Sequence, residues 1–260
     1  MNKNPIRLPL FETVSRSFMY IIKNLSTLGK ICSVFIVLWI AEILCGLPAL
    51  CSVNESYCTQ SNASNVLLAL LYLSMAIVSV NTIRSIILKQ EFKWFHLSVG
   101  TYTLRYIGYA VLLWLMVVLP TAMILMISHS AGQTQVSVIT AVFLGVASFA
   151  TCIGMILFCL RLYLVYAGSA IGDRDMTLGK SYTLTAGNML KIFGGLVLIA
   201  VPTFVIVAVL TVVYRMTEWG FIGDSVFVLL GMLCSYFDTA LKASFYSHLY
   251  QYFVYFSKKD

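Results

Sequence analysis

The chain has 260 residues, of which 60% are apolar or aromatic and only 10% are charged. Soluble domains average about 45–50% apolar and about 25% charged residues, so an ordinary soluble enzyme is excluded. A mean hydropathy of +0.91, carried in uninterrupted apolar runs, places the chain among polytopic α-helical membrane proteins.

The runs fall at about 31–50, 66–83, 107–127, 136–160, 192–213 and 225–241, each near the roughly 17–25 residues that cross a bilayer. Lipid cannot satisfy backbone polar groups, and the runs lack the alternation of barrel strands, so helices are expected throughout. The expected fold is all-α, one integral membrane domain over 1–260 with six transmembrane helices paired as three hairpins. The first run starts near residue 31 and is long enough to span, so it is expected to stay as a helix rather than be cleaved as a signal peptide.

The net charge of +7 has a topological explanation. Assigning alternate loops to alternate sides puts 16 of the 17 Lys and Arg on one side and leaves Arg215 on the other. That is a positive-inside pattern, which predicts both termini in the cytoplasm and makes a nucleic-acid partner unnecessary.

Ahead of the first span, Phe11, Val14, Phe18, Ile21 and Leu25 step by 3, 4, 3 and 4 residues, one apolar stripe of a helix. Within the span, Glu42 lies twelve residues past Lys30, about 18 Å along the helix axis. Acids inside lipid are costly, so Glu42 reads either as the coupling or selectivity group of a small transporter or as a structural acid, protonated or hydrogen-bonded. The transporter reading predicts a polar path of Glu42, Ser33, Ser74, Ser79 and Asn81. In the following outer loop, Cys51 and Cys58 are close enough to form a disulfide in an oxidising compartment or to stay as two thiols.

The pattern recurs along the chain. The second span ends at Arg84, and Phe92, Phe95, Val99, Tyr102 and Tyr106 repeat the stripe before the third. The fourth ends at Arg161; Leu178, Tyr182, Thr185 and Met189 then step by 4, 3 and 4 after Asp175, a predicted N-cap. Each hairpin is thus expected to follow an amphipathic interfacial helix. Near the end of the sixth span, Asp238 and Lys242 are spaced for an i, i+4 ion pair. Arg84, Arg161 and Lys242 are candidate contacts to anionic lipids of the cytoplasmic leaflet, reached by snorkelling. Tyr246, Tyr250, Tyr252, Phe253, Tyr255 and Phe256 read as anchors of a further interfacial helix. Pro48, Pro120 and Pro202, one in each odd-numbered span, read as packing bends or, on the transporter reading, as gating hinges.

The block from Arg161 to Gly195 resembles one found in bacterial six-span proteins, the membrane domain attached to some glycerophosphodiester phosphodiesterases and its uncharacterised stand-alone relatives. Ser181, Leu184, Thr185, Gly187 and Asn188 fit that pattern, while Tyr182 stands where Trp is usual and Gly168 where Pro is common. The resemblance implies a bacterial cytoplasmic (inner) membrane and no established chemistry.

His96, His129 and His248 fall on alternate sides of the expected topology, and no catalytic or phosphate-loop motif occurs. No catalytic set, cofactor or metal is therefore expected. The expected role is non-enzymatic and accessory, in membrane organisation, lipid handling or a membrane complex, with the bilayer, a membrane-protein partner or a second copy as partners.

Overall fold

The computed structural model describes residues 8–33, 37–38, 40, 62–94, 100–133, 138–216 and 221–255. The regular elements among them are helical: α1 (Leu10–Lys23), α2 (Leu25–Cys32), α3 (Asn62–Ile87), α4 (Thr101–Gln133), α5 (Val138–Leu162), α6 (Leu164–Ile171), α7 (Leu178–Leu184), α8 (Met189–Met216) and α9 (Phe221–Tyr250), closed by a π turn at Gln251–Tyr255. Among the described residues, five helical stretches are long and apolar enough to cross a membrane: Ala69–Ile87, Thr101–Pro120, Gly145–Ile171, Met189–Met216 and Gly223–Tyr255. They overlap five of the expected spans, with Gly145–Ile171 and Gly223–Tyr255 running on past the expected ends at 160 and 241. Most of the first expected span, with Glu42, Pro48, Cys51 and Cys58, lies outside the described residues.

The long helices exceed what a membrane needs. The 30 residues of α9 extend about 45 Å, against about 30 Å of hydrocarbon. The surplus is used at one end, where α1 packs on α8 and α9, and α6 lies among α3, α4 and α9. Burial concentrates there: Ile21, Ile83, Leu164, Met176, Phe245 and Phe253 are almost fully enclosed. Along α8, by contrast, Phe204, Val209 and Val212 stay exposed. An apolar side chain facing lipid gains little from being moved into protein, so the exposed apolar face of α8 suits a helix surrounded by acyl chains.

At the opposite end the α8–α9 hairpin is fastened by Tyr214, whose hydroxyl donates to Asp224 Oδ1 at 2.7 Å, and whose ring stacks on Phe227. Midway along the bundle, α3 and α9 are joined by a hydrogen bond between Ser74 Oγ and Tyr236 Oη.

The stripe of α1 divides. Thr13, Val14, Ser17 and Ile21 face the protein, whereas Phe11, Met19 and Ile22 are exposed on the next face and Glu12, Arg16 and Lys23 on the third. Tyr20 Oη meets Ser85 Oγ of α3 at 2.7 Å, fixing the rotation of the helix. Phe11 and Ile21, which sequence spacing puts in one stripe, therefore serve different surroundings.

Three expectations need correction. The second stripe does not form one helix over its described residues, Phe95 and Val99 lying outside them: α3 stops at Ile87, Lys89 takes a left-handed φ of 52°, and residues 89–93 are irregular. Tyr102 and Tyr106 belong to the first turns of α4, continuous with the span. Next, α7 is capped by Thr177, whose hydroxyl accepts the Lys180 N–H at 3.3 Å; the Asp175 N–H instead donates to Asp173 Oδ1, so Asp175 belongs to the preceding turn. Finally, α9 runs on through Tyr250, and among the described residues the C-terminal aromatics form no separate interfacial helix. Tyr246, Tyr250 and Phe253 are buried, and only Tyr255 of the described set is exposed. They cover α6, a burial demand that local sequence does not reveal.

Candidate functional site

Of the residues singled out by the sequence, Arg161, Ser181, Tyr182 and Thr185 meet at the junction of α5, α6 and α7. Helix α5 breaks after Leu162, and Tyr163 and Tyr166 donate shorter-range bonds to Leu160 and Tyr163. The Arg161 carbonyl at this break accepts Ser181 Oγ at 2.7 Å and Thr185 Oγ1 at 3.1 Å. A side chain entering the helical ladder is a recognised cause of a bend, and here two hydroxyls do so where no proline is present. The Arg161 guanidinium lies over the Tyr182 ring, 3.4 Å from its centroid, and donates to the Tyr182 carbonyl at 2.7 Å. Any large aromatic ring at 182 supplies that platform, which gives Tyr a physical equivalence to Trp there.

The rest of the block connects elements. Gly187 has a φ of 75°, a left-handed turn between α7 and α8 for which glycine carries no steric cost. Asn188 Oδ1 accepts the Leu8 N–H at 2.9 Å, and Lys191 Nζ donates to the Leu8 carbonyl at 3.1 Å. Both backbone groups of Leu8 are thereby held against the start of α8. Leu184 packs on the core from α7. A Cβ at Gly195 would overlap the Phe245 ring, so that glycine sets how closely α9 approaches α8.

Helix α6 ends in a Schellman motif. Gly172 is left-handed with a φ of 81°, the Asp173 N–H donates to Gly168 O, and the Gly172 N–H to Ser169 O. Arg84 completes the cap from α3, donating Nη1 to the Ala170 carbonyl at 3.2 Å and Nε to Gln90 at 2.8 Å. A cation there also complements the negative end of the helix dipole. Tyr250 Oη donates to Asp173. Burial raises the Asp173 pKa, but that bond, the Asp175 N–H and the Lys180 charge outweigh it and hold the carboxyl below its ordinary value.

The three candidate lipid cations thus have separate protein partners: Arg84 on α6, Arg161 on α7, and Lys242 on Asp238 of its own helix at 2.5 Å. Ser33, Ser74, Ser79 and Asn81 are buried; Ser33 donates to the Lys30 carbonyl and Ser74 to Leu71 as well as meeting Tyr236. No group of three His, Cys, Asp or Glu able to hold a metal occurs among the described residues.

Sequence reading missed the aromatic centre of this end. Tyr163 and Tyr166 from the α5–α6 break meet Tyr246 of α9 with ring centroids 5.1 and 6.0 Å away, and Tyr106 of α4 lies 5.0 Å from Tyr166. The signal available was the i, i+3 spacing of two tyrosines directly after a span. Two concavities were also invisible. A polar cleft of about 400 Å³ lies among Glu12, Arg16, His248, Gln251 and Tyr255. An apolar groove of about 520 Å³ runs along α4, with Met155 of α5 at its side.

No family model, no curated protein and no solved structure matches the chain.

Proposed function

We propose that this chain is a non-enzymatic, multi-pass protein of a bacterial cytoplasmic membrane that handles or organises lipid, with six spans in three hairpins and both termini inside. The observation that carries this reading is the three-faced surface of α1: one face on the protein, one apolar and exposed, one charged and exposed. That division suits a helix lying in the membrane interface, its apolar side toward acyl chains and its charges toward headgroups and water. The one-sided distribution of Lys and Arg supports placing α1 at the cytoplasmic leaflet, where anionic lipid attracts it. The Arg161–Gly195 block supports kinship with the membrane domains attached to some glycerophosphodiester phosphodiesterases.

The test is to reconstitute the full chain in nanodiscs made from an equal mixture of phosphatidylglycerol and phosphatidylcholine and to analyse the lipid retained. The expected result is enrichment of phosphatidylglycerol over the starting mixture. Recovery of the two lipids at the starting ratio defeats the lipid-handling reading.

A further inference from the structure

We infer that the groove on α4 binds one acyl chain of an anionic glycerophospholipid, with Arg105 holding the phosphate at its mouth. The inference deepens the lipid-handling reading and rests on it.

The groove is lined by Gly108, Leu112, Leu115, Met116 and Leu119 of α4 and by Met155 of α5. From Gly108 to Leu119 is eleven residues, about 17 Å of helix, and one leaflet of a bilayer offers about 15 Å of hydrocarbon. The groove therefore matches a single leaflet in length.

Arg105 is placed to receive the headgroup. Leu112 and Met116 follow it by 7 and 11 positions, which at about 100° per residue brings all three within about 20° of one line along the helix. Arg105 stands one turn before Gly108, about 4.5 Å beyond the start of the groove, at the end where the other basic residues gather. Its guanidinium leans over the Tyr109 ring, 5.9 Å from the centroid. Unlike Arg16 and Lys242, it forms no ion pair with a carboxylate among the described residues. A planar guanidinium on an aromatic ring still presents donors to a phosphate. At Gly108, no atom lies within 4 Å of where a Cβ would stand, so the mouth is open.

The test uses the full-length chain in detergent, with lipid binding read by native mass spectrometry. The probes are dioleoyl-phosphatidylglycerol and dioleoyl-phosphatidylcholine, and thermal melting checks the fold of each variant. Wild type is expected to retain one phosphatidylglycerol about tenfold more tightly than phosphatidylcholine. Arg105→Gln should bring the two lipids to within about twofold of each other. Gly108→Leu, which fills the mouth and leaves the charge in place, should lower the occupancy of both. Arg215→Gln removes an exposed cation at the opposite end of the bundle and should leave the preference unchanged, separating a local site from net charge. If Arg105→Gln keeps the preference, or Gly108→Leu binds as wild type does, the site is wrong while lipid handling stands. If wild type shows no preference, the site and the lipid-handling reading fall together.

Discussion

Thr185 carries more than its size indicates. It is 1% exposed, and its hydroxyl reaches the carbonyls of Arg161 and Ser181. Thr185→Val keeps the shape and removes those bonds, so a loss of about 1–3 kcal/mol is expected from thermal or denaturant unfolding in detergent. At Tyr182 the ring matters more than the hydroxyl: Tyr182→Trp should melt as wild type does, while Tyr182→Ala should lose about 0.5–1 kcal/mol with the cation–π contact. Asp173 gives a pH signature. Its folded pKa is held below the ordinary 3.8, so its contribution is full above that value and is lost as pH falls through the folded pKa. Melting temperature followed from pH 7 to pH 3 should show this acid loss, and Asp173→Asn should flatten it.

Helix α1 gives the element-scale test, because its apolar residues divide between two surroundings. Ile21 is 1% exposed against α9 and its neighbours, and Phe11 is 77% exposed. Ile21→Ala leaves a cavity in the core and should cost about 2–5 kcal/mol. Phe11→Ser should leave the melting temperature in detergent nearly unchanged and instead weaken retention of lipid around the protein, measured as phospholipid per chain after purification. A melting loss for Phe11→Ser equal to that for Ile21→Ala would mean that the exposed face is covered by protein. Helix α6 shows the reverse relation between sequence and surroundings. Its eight residues continue an apolar span, yet Val165, Ala167 and Ala170 are fully enclosed by protein, since the bend at Arg161 turns them into the capped end.

For the molecule as a whole, orientation is the decisive measurement. In a chain freed of its seven native cysteines, a single Cys at Lys258→Cys should react with an impermeant thiol reagent only when the inner face is opened. Glu218→Cys should react from the outside. Labelling of both from one side would refute a crossing by α9, the one span between them. Much of the layout was legible: the five described spans were readable because a bilayer imposes a length and a composition that local sequence must meet. The block Ser181, Leu184, Thr185, Gly187 and Asn188 was also legible as a unit, though not as what it does. Its hydroxyls act on Arg161, twenty residues and more away, and its amide on Leu8, at the far end of the chain.

What the sequence by itself determined is whatever each residue settles against the solvent around it. Helical class and the positions of the described apolar spans follow from the cost of bare backbone and of charge in lipid, a cost paid locally. Only the tertiary structure decided which apolar residues meet protein rather than lipid. Val14 and Phe11 are equally apolar in the chain, and Tyr246 resembles an interface anchor until α6 is packed beneath it. Hydropathy cannot separate a protein neighbour from an acyl chain, because the two are nearly equivalent as apolar surroundings. The bend at Arg161 and the cap of α6 come from contacts with segments elsewhere along the chain, Ser181 and Thr185 on one and Arg84 and Tyr250 on the other.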